Sequence, residues 1–141
     1  MDPLSVTASV VSLISFAATV TKTVTKYIGD VKHAPAESRE LVAELSAITN
    51  TLNSLQAFLG KQDKTSDSFK DTSVLYSTTQ LCHGKLNAVD KTLRDFTEKT
   101  QHMKWYRRLV WPFKKEDHLE IIGTFHKCTQ IFQFSLSIDG W

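Results

Sequence analysis

From Pro3 to Thr21 the chain carries no charge. Through that stretch and beyond it, Val6, Val10, Leu13, Ala17, Val20, Val24 and Tyr27 recur at alternating steps of four and three. This spacing lays one apolar face along a helix at a heptad period. Val11, Ile14, Ala18 and Ile28 are expected to widen the face, while Ser5, Ser9, Ser12 and Thr19 gather on the other side. A helix with one apolar face has to bury it, so the fold must supply partner helices. Pro3 suits a first helical turn, where its missing N–H leaves nothing unpaired, and Asp2 stands where a cap is needed.

The same stretch comes close to being a membrane segment. Its nineteen residues would make a helix of roughly 28 Å, against a hydrocarbon core of roughly 30 Å. Leu4, Val6, Val10, Val11, Leu13, Ile14, Phe16 and Val20 together favour insertion by roughly 2 to 5 kcal/mol. Ser5, Thr7, Ser9, Ser12, Ser15, Thr19 and Thr21 offset much of that. The polarity is wrong for a secretory leader, because Asp2 precedes the apolar run and the first basic residue, Lys22, follows it. A segment balanced in this way suits two environments. Buried in a helical bundle it is a core helix; released, it can reach a membrane or the same helix of partner chains.

The 141 residues fit one domain, spanning 1–141, with 41% apolar residues for its core. A net charge of +2 gives no strong field for nucleic acid or for a membrane surface. Cys82 and Cys128 are too few for a disulfide framework and sit in helical patterns, so reduced thiols and a cytoplasmic setting are the default. Five glycines and three prolines favour long helices over turn-rich β structure.

The first helix is expected from about Pro3 to about Val31, ending at Ala34-Pro35. A second starts between Pro35 and Ser38 and carries Leu41, Leu45, Ile48, Leu52, Leu55 and Leu59, with Gly60 as its C-terminal cap. Residues 61–71 are polar and read as a loop. The third begins near Asp71 or Thr72, with a stripe of Leu75, Thr79, Cys82, Leu86, Val89, Leu93 and Phe96. A short helical piece from Met103 to Trp111 stops at Pro112. The last helix opens with Glu116 and Asp117 at the positive end of its dipole. Its expected stripe is Leu119, Ile122, Phe125, Thr129, Phe132 and Leu136. Together these elements describe an all-α protein, an antiparallel four-helix bundle with an additional short helix before the last.

Between Lys99 and Lys115 there is no acid. Lys104, Arg107, Arg108, Lys114 and Lys115 interleave there with Trp105, Tyr106, Trp111 and Phe113. Amphipathic aromatics among cations suit a membrane interface, where each cation near an anionic surface contributes about 1 kcal/mol. The plainer alternative is that the tryptophans pin the short helix to the bundle while the cations face water. His33, His83, His102, His118 and His126 show no zinc-ligand spacing with the cysteines and read as partly exposed helix positions. There is no phosphate-cradling glycine loop and no nucleophile elbow. No catalytic, cofactor-binding or metal residue is assigned, and no enzyme activity is expected.

The opening MDPLSVTASVVSLI resembles the start of the fungal N-terminal domains of STAND proteins, the NLR-like signalling ATPases. VKHAPAESRELVAELSAITNTLNSLQAFL is similar to that family's second helix. WYRRLVWPFKKEDHLEIIGTFHKCTQIFQFSLSI is similar to its closing tryptophan-and-basic stretch and last helix. These domains belong to or border on the HeLo-like class of helical bundles, implicated in fungal programmed cell death and heterokaryon incompatibility. The resemblance implies the N-terminal part of a longer signalling protein. It would be cytoplasmic at rest and, on activation, oligomeric and at the plasma membrane, where it permeabilises anionic lipid. An NLR-type ATPase or an amyloid-signalling partner would trigger it; the activation parts are either missing or lie beyond Trp141. By position, Leu4 to Val20 is the counterpart of the membrane-active first helix. That helix carries no glycine-zipper repeat here, so a GxxxG packing mode is not expected of it. The alternative function is a module for homotypic oligomerisation or adaptor binding that never touches lipid.

Overall fold

A computed structural model describes residues 3–30, 34–61, 72–100 and 111–139, with side chains at 6–29, 34–60, 74–100 and 111–137. Among the described residues there are four helices: α1 Pro3–Asp30, α2 Ala36–Lys61, α3 Thr72–Thr100 and α4 Lys115–Asp139. The expected short helix from Met103 lies almost wholly outside the described residues.

The helix starts follow from local chemistry. Pro35 cannot continue a helix from before it, and its carbonyl accepts from both the Ser38 amide (3.0 Å) and the Ser38 hydroxyl (2.7 Å). This satisfies donors of the first turn of α2. At α4 the Lys114 carbonyl accepts from the His118 amide at 2.8 Å, and Glu116 and Asp117 occupy the first turn. Gly60 departs from expectation. It lies inside the last turn of α2 and has no positive φ, so α2 runs on to Lys61 and Gly60 is not the left-handed cap.

Each helix touches two others: α1 packs on α2 and α3, and α4 packs on α2 and α3. Among the described residues the diagonal pairs α1/α4 and α2/α3 do not meet. Consecutive helices alternate in direction, as the stripes and short links lead one to expect. The ring order, however, sets α1 beside α3, and these run parallel: Phe16 meets His83, and further along Tyr27 meets Phe96. Likewise α2 and α4 run parallel, with Glu40 at His118 and Thr51 at Gln133.

The core is the axis of this square. Val6, Val10, Leu13, Ala17, Val20 and Val24 enter from α1. Leu41, Leu45, Ile48, Leu52, Leu55 and Leu59 enter from α2, and Leu75, Cys82, Leu86, Val89 and Leu93 from α3. From α4 come Ile121, Phe125, Cys128 and Phe132. The α4 face differs from the expected one. Leu119 is 57% exposed, Ile122 and Leu136 are half-buried, and the buried line runs His118, Ile121, Phe125, Cys128, Phe132, Ser135. The inner stripe is rotated because a histidine and a serine hold its ends, which apolar counting passes over.

Buried threonines explain how hydroxyls enter this core. Thr79 bonds the Tyr76 carbonyl at 2.7 Å, Thr129 the Phe125 carbonyl at 2.9 Å and Thr51 the Ala47 carbonyl at 3.0 Å. Each closes its donor on its own helix, so none of these three hydroxyls is left unpaired in the apolar interior.

Candidate membrane-active helix and the aromatic end of the bundle

Along α1 the structure divides the expected residues sharply. Val6, Val10, Leu13 and Val20 are buried to within 1%. Ile14 and Phe16 are half-buried against the core. Val11, expected on the widened apolar face, is 45% exposed, and Ala18 is also exposed. Both lie past the edge of the stripe, where α2 and α3 no longer cover the helix. The Leu4 side chain lies outside the described residues.

Val6–Gly29, 24 residues, is long and apolar enough to cross a membrane. Three of its threonine hydroxyls bond their own helix. Thr19 bonds the Ser15 carbonyl (3.1 Å), Thr21 the Ala17 carbonyl (2.7 Å) and Thr23 the Thr19 carbonyl (3.1 Å). Such bonds travel with the helix. They lower the penalty for taking those hydroxyls out of water, whether into protein or into hydrocarbon.

What holds α1 in the bundle is apolar burial. Fully burying a valine or leucine contributes about 1.5–3 kcal/mol. The five large core residues of α1 therefore contribute roughly 7–15 kcal/mol, as much as the whole stability of an ordinary domain. Release of α1 into water is then equivalent to unfolding. Release into an environment that also buries those side chains is not.

The two ends of α1 are held differently. Near its start, Ala8, Ser9, Ser12 and Leu13 line an open groove of about 290 Å³ against Thr79, Gln80 and His83 of α3. Near its end, Tyr27 packs in an aromatic cluster. The Tyr27 ring lies 5.2 Å from Trp111 and 6.4 Å from Phe96. Trp111 in turn lies 5.1 Å from Phe113 and 6.3 Å from His118. Trp111 thus bridges the diagonal that the helices leave open, tying the end of α1 to the start of α4.

His118 corrects the expectation of a partly exposed histidine. It is 3% exposed, and its Nε2 lies 2.9 Å from Glu40 Oε1, joining the starts of α4 and α2. Its Nδ1 and the Trp111 Nε1–H are buried without a hydrogen-bond partner. Burial pushes the Tyr27 phenol above its ordinary range. Sequence patterning missed this cluster because it joins residues from four separate segments.

Of the basic-aromatic stretch, Trp111 is half-buried in the cluster, while Lys114 and Lys115 are exposed. That is the pinning arrangement for Trp111. Lys104, Trp105, Tyr106, Arg107 and Arg108 lie outside the described residues. Among the described residues no group of three His, Cys, Asp or Glu side chains is placed to hold a metal ion.

No curated protein and no solved structure matches the chain significantly. One family model does, described as pigment biosynthesis cluster protein PigL N-terminal, over residues 1–129. With 129 of its 141 residues matched, the chain belongs to the PigL N-terminal family, a fungal N-terminal helical domain consistent with the HeLo-like N-terminal domains of fungal NLR proteins.

Proposed function

We propose that this bundle is the membrane-permeabilising execution domain of a fungal NLR-type cell-death pathway. In this reading α1 is stored in the bundle and moves into anionic lipid when copies are brought together. The supporting observation is that α1 is at once a core helix and a 24-residue candidate span, three of whose threonines bond their own helix. A bilayer offers its six core residues the same apolar surroundings the bundle does, so transfer avoids the cost of exposing them to water. The resting place is the cytoplasm and the working place the plasma membrane. The trigger is a nucleotide-binding or amyloid-signalling partner, and self-association supplies the oligomer. No catalytic step and no cofactor enter this scheme.

Dye release tests it. The domain, fused to a chemically induced oligomeriser, is added to vesicles with and without anionic lipid. Leakage from anionic vesicles on oligomerisation supports the reading. Oligomers that form and leave the dye inside overturn it.

A second reading draws on another face. Val74 and Leu81 of α3 are 47% and 43% exposed, and Phe134 of α4 is 62% exposed. Val74, Leu81 and Ile131 line one groove of about 310 Å³. An apolar surface of this kind serves an interaction module that pairs with itself or an adaptor and never meets lipid. Concentration-dependent light scattering without vesicle binding favours this second reading.

A further inference from the structure

Cys82 and Cys128 are both fully buried free thiols, and the register of α3 against α4 sets them across the seam from one another. Two independent contacts fix that register. On one side Lys85 Nζ lies 2.6 Å from Glu120 Oε1. On the other, Leu81 of α3 lines the same groove as Lys127 and Ile131 of α4. In an antiparallel pair these contacts bracket Cys82 and Cys128 and set them at one level. Each occupies a core position of its stripe, so each points into the shared interior.

We propose that Cys82 and Cys128 form a reversible disulfide that staples α3 to α4, made and broken by exchange with low-molecular-weight disulfides of the glutathione class. The site is independent of the membrane reading and stands if that reading fails. Exchange proceeds in two balanced steps. A thiolate of the pair attacks one sulfur of glutathione disulfide, forming a mixed disulfide and expelling one glutathione thiolate. The second cysteine, as thiolate, attacks the protein sulfur of that mixed disulfide and expels the other glutathione thiolate. Overall, two protein thiols are oxidised to one disulfide, one glutathione disulfide is reduced to two glutathione thiols, and the thiol protons pass to the leaving thiolates.

Contact between the two thiols couples their ionisation, and burial opposes the thiolate at each. Either cysteine can make the first attack, and the other then resolves the mixed disulfide. A disulfide needs its sulfurs about 2.05 Å and its Cβ atoms about 3.8 Å apart, so closure draws the two helices together at mid-length. The bond touches neither α1 nor α2. With both sulfurs shielded from solvent, exchange runs through transient opening of the seam.

Thermodynamic linkage supplies the test. If the fold holds the sulfurs together, it favours the disulfide by the same factor by which the disulfide favours the fold. The full chain is equilibrated in glutathione buffers of stepped ratio, folded and in denaturant, starting from both reduced and cross-linked material. Acid quenching, thiol alkylation and intact mass give the fraction joined, and peptide mapping gives the partners. The expected result is a Cys82–Cys128 bond within one chain, persisting in buffers at least tenfold more reducing for the folded chain than for the unfolded one. Cross-linked protein also melts higher than reduced protein, and reductant reverses this. An equal or opposite shift overturns the proposal, as does an end product that is a mixed disulfide or a link between chains. Cys82→Ala and Cys128→Ala are expected to show no such bond. The measurement rests on the native chain, so it holds even where a variant folds poorly.

Discussion

Ala17 and Ala18 are neighbours in sequence and opposites in the bundle, which makes lysine at each a direct test of how α1 is used. Ala17 is fully buried, and Ala18 is exposed near the middle of the candidate span. A lysine at 17 puts an unpaired charge into the core and unfolds the domain. A lysine at 18 extends into water and shifts stability by no more than about 0.5 kcal/mol. A bilayer makes no such distinction, because lysine at a helix centre costs about 2.5–3.5 kcal/mol whichever side it is on. At about 1.4 kcal/mol per decade, Ala18→Lys lowers the inserted population of a single helix roughly 60- to 300-fold. The assay is dye release from anionic vesicles by oligomerised Ala18→Lys beside wild type, with circular dichroism and urea melts to establish that both are folded. A folded Ala18→Lys that leaks dye like wild type refutes the claim that α1 enters the hydrocarbon.

Three further outcomes follow from the packing. Phe125→Ala, at a fully buried ring, lowers the urea-unfolding free energy by about 3–5 kcal/mol, whereas Leu119→Ala, two turns earlier and 57% exposed, stays within about 0.5 kcal/mol. Gly84→Ala and Gly123→Ala meet open space on exposed helical positions, so each raises stability by about 0.5–1 kcal/mol in the same assay. Burial raises the Tyr27 phenol above its unfolded value near 10. The neutral phenol is therefore the form the fold prefers; its contribution is complete below pH of about 10 and is lost as pH climbs through the folded value. Alkaline melts are expected to show this loss in wild type and a weaker one in Tyr27→Phe.

The stripes on α1, α2 and α3 were readable because nearly every inward position is aliphatic and the steps of three and four are unbroken. The inner face of α4 was not. His118, Cys128 and Ser135 stand on it, while Leu119, a better hydrophobe than any of them, points to water. Periodicity also reports that a face is buried without saying against what, so the parallel pairing of α1 with α3 emerges only from contacts such as Phe16 with His83. The candidate span was evident from the missing charges between Pro3 and Thr21. Its self-bonded hydroxyls were not, because a threonine has the same letter whether it bonds its own helix or water. Trp111 was legible as an anchor by its chemistry, yet its partners Tyr27 and His118 come from two different helices that are themselves not neighbours.

The square arrangement determines what remains if α1 departs. Because α1 touches α2 and α3 but not α4, its transfer into lipid breaks neither contact of α4, which stands at the corner of an L formed with α2 and α3. Between the arms of that L runs an apolar trough as long as the vacated helix, 28 residues or about 42 Å. A trough of that length has a matching filler in every other molecule of the same kind. An α1 exchanged between neighbours would refill the trough that its own departure opens.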